Sequence, residues 1–126
     1  MTLDIEVVDA PASLPVQEVQ RLVALALGSA GVDDGHVAVE FVGSDRIHAL
    51  NREHRGRDEP TDVLSFPIDE DDDAVGPREL GDVVIAPEHT VDLREAIVHG
   101  VLHLTGMDHE TDDGEMLALQ RELLSW

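Results

Sequence analysis

The chain of 126 residues carries 28 Asp and Glu against 8 Arg and no Lys, a formal net charge of −20 that repels a polyanion and argues against a nucleic-acid partner. It has no Cys, which excludes disulfides, a thiolate nucleophile and Cys-ligated zinc or iron–sulfur clusters, and no apolar run approaching the roughly 18 residues of a membrane span. With 38 Leu, Ile, Val and Phe, only Phe41, Phe66 and Trp126 as aromatics, and no basic start or apolar run typical of a signal peptide, the expectation is one cytoplasmic domain over 1–126 with an aliphatic core.

Leu3 to Val8 begins by alternating apolar and acidic residues, the period of a half-buried strand, and Pro11 closes it. Ser13 is a candidate N-cap, with Pro15 in the first turn of a helix. The apolar residues Val16, Val19, Leu22, Val23, Ala26 and Leu27 recur there at helical spacing until Gly28 and Gly31 stop it. Val37 to Val42 reads as a second strand. After Gly43, Ser44 is placed to cap a short helix bearing Ile47, Leu50 and several arginines. Asp62 to Phe66 predicts a third strand ended by Pro67, and Gly81 to Ala86 a fourth ended by Pro87.

The last third reads as helical. Leu93, Ile97, Val98, Val101, Leu102 and Leu104 make a nearly all-round apolar helix from about Val91 to Thr105, which so little polar surface buries in the middle of the domain. Gly106 terminates it. Glu115 to Leu124 is a final amphipathic helix with Met116, Leu119 and Leu123 on one side. The order β-α-β-α-β-β-α-α gives an α/β (α+β) fold, a single domain with a mixed four-stranded sheet packed with helices.

The charges are unevenly placed. Arg46, Arg52, Arg55 and Arg57 put half of the cations into a dozen residues, whereas Asp69 to Asp73 is an unbroken acidic run. A helix surface and a solvated loop account for both. If the two lie on different faces, the net charge says little about a binding site.

His99 and His103 are four residues apart on the apolar helix, so one lies above the other on the same face. Gly106 then turns the chain and His109 follows, giving H-x-x-x-H-x-x-G-x-x-H. Three unconnected histidines would each need a hydrogen-bond partner in the least polar stretch of the chain, whereas one metal ion satisfies all three. Imidazole-only ligation favours zinc, one per chain, held by His99, His103 and His109 with a fourth position open. The spacing equals that of metzincin proteases, except that Gly100 stands where those enzymes carry their general-base Glu. Gly in a helix interior costs ~1 kcal/mol relative to Ala, so something close-packed or close-bound is expected against position 100.

The string His99-Gly-x-Leu-His103-Leu-x-Gly106-x-Asp108-His109 resembles the signature of the YbeY family of bacterial endoribonucleases. Leu50-Asn51-x-x-x-Arg55-x-x-Asp58-x-x-Thr61-Asp62-Val63-Leu64-Ser65-Phe66-Pro67 and Leu80-Gly81-Asp82-Val83-Val84-Ile85-Ala86-Pro87 match the same family upstream, in family order. The resemblance implies a metal in a cleft, single-strand-specific endoribonuclease activity, 3′-end maturation of small-subunit rRNA, and ribosome quality control. It implies rRNA precursor and the small ribosomal subunit as partners, and carries the metal ligands to His99, His103 and His109 and the family's motif arginine to Arg55. The chain departs from the family in a short connection between Pro87 and the metal helix, and in Met107, where an aromatic residue is usual.

Arg55 is expected to meet the charge that develops on phosphorus with its planar fork of donors. Its bland alternative is a surface salt bridge with Asp58 or Asp62. Asp108 could accept a proton from water, and more readily orients an imidazole from behind. Thr61, Ser65 and Asp82 read as turn and strand residues that shape the cleft, and His54 and His89 carry no assigned role. Two other readings stay open: a ribosome assembly factor with a mainly structural zinc site, and a metzincin-like metallohydrolase lacking the catalytic Glu.

Overall fold

Alternating side chains put an apolar row on each face of a four-stranded sheet in this computed structural model, which describes residues 3–32, 34–67, 79–105 and 115–125. The strands β1 (Leu3–Val8), β2 (Gly35–Phe41), β3 (Val63–Pro67) and β4 (Glu79–Ile85) lie in the order β1-β2-β4-β3. β1, β2 and β4 are parallel, and β3 pairs antiparallel with β4 as an edge, so the sheet is mixed as expected. The helices are α1 (Val16–Ser29), α2 (Ser44–Arg55), α3 (Leu93–Leu104) and α4 (Glu115–Leu124).

Val37, Val39, Phe41, Val83 and Ile85 point to one face and join the main core with Val19, Leu22 and Val23 of α1, Ile97 and Val101 of α3 and Leu123 of α4. The alternate residues Leu64 and Val84 point the other way and pack with Ile47 and Leu50 of α2, flanked by Phe66. α3 thus lies between α1, α4 and the strands β3 and β4, with six of its twelve residues buried, which is the central burial its composition predicts. No helix of the described residues is long and apolar enough to cross a membrane.

Several boundaries differ from the sequence expectation, each for a local reason. Ser13 sits in the turn closed by Leu14 N–H donating to the Pro11 carbonyl, and α1 starts from Pro15, whose carbonyl accepts from Glu18 and Val19. α1 continues through Gly28 to Ser29. Gly43, with extended backbone, is the N-cap of α2, so Ser44 is its first helical residue and its hydroxyl meets His89 Nε2 at 2.7 Å instead. His89 closes a 3₁₀ turn, Pro87–His89, that the sequence reading did not anticipate. α3 begins at Leu93 because Asp92 caps it, accepting from Arg94 N–H at 3.0 Å and Glu95 N–H at 3.2 Å; Val91 stays outside and fully exposed. β4 starts before Gly81 because the register against β2 shifts at Leu80, a bulge that Gly81 absorbs at φ 133°. The acidic run from Asp69 to Asp73, and Gly106, lie outside the described residues.

The helix directions decide what meets at the sheet's edge. Glu18 in the first turn of α1 lies 3.4 Å from Arg94 in the first turn of α3, so the two helices start side by side and run the same way. A hydrogen bond from Arg21 holds the Glu18 carboxyl below the usual carboxylate range. α2 starts beside His89, just beyond the end of β4, and its last turn lays His54 edge-on to Phe66, the penultimate residue of β3, with ring centroids 4.9 Å apart. The last turns of α2 and α3 therefore come to the same end of the sheet, on opposite faces of the edge strand β3.

Candidate metal centre

His99 and His103 are half-buried on the α3 face that looks toward α4. Their rings meet edge to face with centroids 4.7 Å apart and planes at 74°. The two Nε2 atoms are 3.1 Å apart. Two imidazole nitrogens on one tetrahedral zinc would stand about 3.3 Å apart, from Zn–N distances of about 2.0–2.1 Å. The pair therefore has the separation a single ion asks for, and the residues fit the group that the motif implies.

Behind His99 stands a residue that the sequence reading missed. Its Nδ1 lies 2.8 Å from Oε1 of Gln120, which is 7% exposed on α4. The signal was present as one amide among Met116, Leu119 and Leu123 on the apolar side of α4. His109 and Asp108, the third expected ligand and the acid beside it, lie outside the described residues. Among the described residues no group of three His, Asp or Glu forms.

Gly100 shows why α3 can approach the sheet here. A Cβ at that position would lie 2.6 Å from Val83 Cγ1, 3.1 Å from Val63 Cγ2 and 3.3 Å from Ser65 Oγ. The close-packed neighbour expected from the cost of a helical glycine is thus the sheet itself. Ser65 secures the contact by donating its hydroxyl to the Gly100 carbonyl at 2.8 Å. Asp82 behaves differently: as the neighbour of Val83 it is exposed on the opposite face, so it does not line the imidazole side of the sheet.

Gly100→Ala should lower stability despite its better helix propensity. The gain of about 1 kcal/mol is set against forcing a methyl into a stiff, fully buried Val83, where overpacking costs about 1–3 kcal/mol. Thermal melts should show a net fall in Tm, and an unchanged or higher Tm would contradict the packing argument.

Arg55 is the last residue of α2, and Gly56, left-handed at φ 69°, ends the helix immediately after it. The segment that follows folds back along α2. Asn51 Nδ2 donates to the Glu59 carbonyl at 2.8 Å, and Asp58 meets His48 Nε2 at 2.8 Å. Neither expected salt bridge to Arg55 forms. Asp58 is engaged with His48 and, at 4.0 Å, Arg52, while Asp62 Oδ1 accepts from Thr61 Oγ1 and Val63 N–H. Among the described residues Arg55 makes no ion pair, and Arg46, Arg52 and Arg57 are exposed around the same helix.

Comparison with known proteins agrees with this architecture. The family model described as Endoribonuclease YbeY matches residues 6–126. A protein of that name from Geobacillus thermodenitrificans is 37% identical over 150 aligned positions, covering 99% of this chain and 96% of the relative. One from Bacillus subtilis is 38% identical, covering 98% and 95%. The aligned positions outnumber the 126 residues, so these relatives carry insertions that this chain lacks. A Thermotoga maritima protein solved in solution superposes with a TM-score of 0.60 at 29% identity, over 95% of this chain and 86% of that one.

Proposed function

This chain belongs to the Endoribonuclease YbeY family, and we propose from that membership that it is a metal-dependent endoribonuclease acting on single-stranded RNA. Its place is the cytoplasm, in 3′-end maturation of small-subunit rRNA and in ribosome quality control, with rRNA precursor and the small ribosomal subunit as partners. The observation that supports metal dependence most directly is the convergence of two Nε2 atoms at 3.1 Å beside a buried amide acceptor.

His99, His103 and His109 would hold one zinc ion per chain. When bound, it supplies Lewis acidity to a phosphodiester oxygen and brings the pKa of a water toward ~7. The protein's own groups do the rest. Arg55 donates from its guanidinium to the phosphate and meets the negative charge that builds on its oxygens. Asp108 orients a ligating imidazole, or takes the proton that the attacking water gives up. The metzincin-like alternative is weakened by Gly100: the position of that family's general base is filled by the sheet against which α3 packs.

A local concentration of arginines along α2 makes the −20 charge compatible with RNA. Arg46, Arg52, Arg55 and Arg57 project from α2 and the residue pair after it, and repulsion beyond about 10 Å is screened at moderate salt. The test combines elemental analysis with cleavage of a single-stranded rRNA precursor. About one zinc per chain and cleavage abolished by a chelator are expected. Cleavage that persists undiminished in metal-free protein would overturn the metal dependence.

A further inference from the structure

We infer that Gln120 is a positioning residue of the metal centre: its Oε1 accepts the Nδ1 proton of His99 and thereby reserves Nε2 for the metal. The inference rests on the metal reading above and adds a residue from a different helix, 21 positions away, to the site.

A neutral imidazole has one N–H and one lone pair, and whichever nitrogen holds the proton cannot ligate. An acceptor placed on Nδ1 keeps the proton there. Gln120 supplies such an acceptor at 2.8 Å, and the other ring nitrogen of His99 then faces Nε2 of His103 with its lone pair. The two Nε2 atoms stand 3.1 Å apart, so the rings already have the separation that one ion would impose. Ligating imidazoles ordinarily have a carboxylate or a carbonyl in this supporting place. The amide oxygen is a carbonyl without a charge, which suits a buried position in a protein already rich in carboxylates.

Burial makes a merely incidental contact a poor account of Gln120. Only Asn51 and Gln120 are buried polar side chains among the described residues, and Asn51 has its own partner in the Glu59 carbonyl. Gln120 lies on the side of α4 that carries Leu123 into the main core. An apolar residue there would extend the stripe, while burying an amide costs free energy that its hydrogen bonds must offset.

The test compares wild type with Gln120→Leu, which keeps the volume and removes the acceptor, and Gln120→Glu, which keeps an acceptor. Zinc affinity measured by competition with a chromophoric chelator should fall about 10–100-fold in the Leu variant and be restored in the Glu variant. Added zinc should raise the Tm of wild type and of Gln120→Glu by more than that of Gln120→Leu, a difference that a purely structural hydrogen bond would not produce. Nitrogen NMR of metal-free wild type, at a pH where the ring is neutral, should show His99 protonated on Nδ1. Protonation on Nε2 would overturn the proposal, as would equal zinc affinity in wild type and Gln120→Leu. Wild type that takes up no zinc would overturn the metal reading itself, a failure distinct from equal binding by both.

Discussion

Substituting His103 with alanine should empty the metal site and abolish RNA cleavage while leaving the fold in place. His103 is only half-buried, and the residues that tie α3 into the core, Ile97, Val98, Val101 and Leu102, are separate from it. Losing a supporting partner of a metal ligand costs about 10–100-fold in affinity, and losing a ligand itself costs more. Elemental analysis of the purified variant should therefore find little zinc. A second readout avoids activity altogether. A ligand that binds only the folded state stabilises it by RT ln(1 + [L]/Kd), about 4 kcal/mol at a thousandfold excess over Kd. Added zinc should raise the Tm of wild type and leave that of His103→Ala unmoved. Acid should release the metal too, because protonated imidazole has no lone pair to offer. Equal zinc in wild type and variant would remove the site. His48→Ala is the control: that imidazole stands on α2 and meets Asp58 in the segment beyond it, so the variant should keep its zinc.

How far the sequence could be read depended on whether a feature was repeated or singular. Strands announced themselves through alternation, as in Val37, Val39 and Phe41, because every second residue reports the same face. α3 was legible because Leu93, Ile97, Val98, Val101, Leu102 and Leu104 leave it so little polar surface, and Gly100 was legible as a cost that had to be offset by contact. Caps were misread because backbone geometry selects them: Gly43 and Pro15 hold those positions although a serine stood nearby in each case. The bulge at Leu80 moved the start of β4 for the same reason, since one residue of register leaves no periodic trace. Tertiary placement was the real gap. Nothing local says that Asp82 and Ser65 lie on opposite faces, or that β3 is an edge with a helix end on either side. Gln120 is the most instructive miss. Its partner is 21 residues away, so a lone amide in an apolar stripe was the only mark it left.

Arg55→Ala should cost about 10²–10³ in the rate of single-stranded RNA cleavage with little change in stability or zinc content. Its position separates the two quantities. It is exposed, it makes no ion pair among the described residues, and the carboxylates that could have satisfied it are engaged by His48, Thr61 and the Val63 amide. In the last turn of α2 its charge also favours the helix C-terminus, worth about 0.3–1 kcal/mol, and Arg52 in the same turn retains that effect in the variant. The melting temperature should therefore hardly move. The rate should move because the last turn of α2, which lays His54 against Phe66 of β3, comes to the same end of the sheet as the last turn of α3, whose Gly100 packs against the other face of that strand. Arg55→Lys is the sharper variant, keeping the positive charge while losing the planar pair of donors. If bidentate donation to the phosphate matters, lysine should recover substrate binding and leave most of the rate deficit; if the charge alone matters, it should recover both. Cleavage kinetics of the two variants, beside melts and zinc analysis, decide the matter. Normal cleavage by Arg55→Ala would remove the arginine from the reaction, and lost zinc or a collapsed melt would assign it to the structure instead.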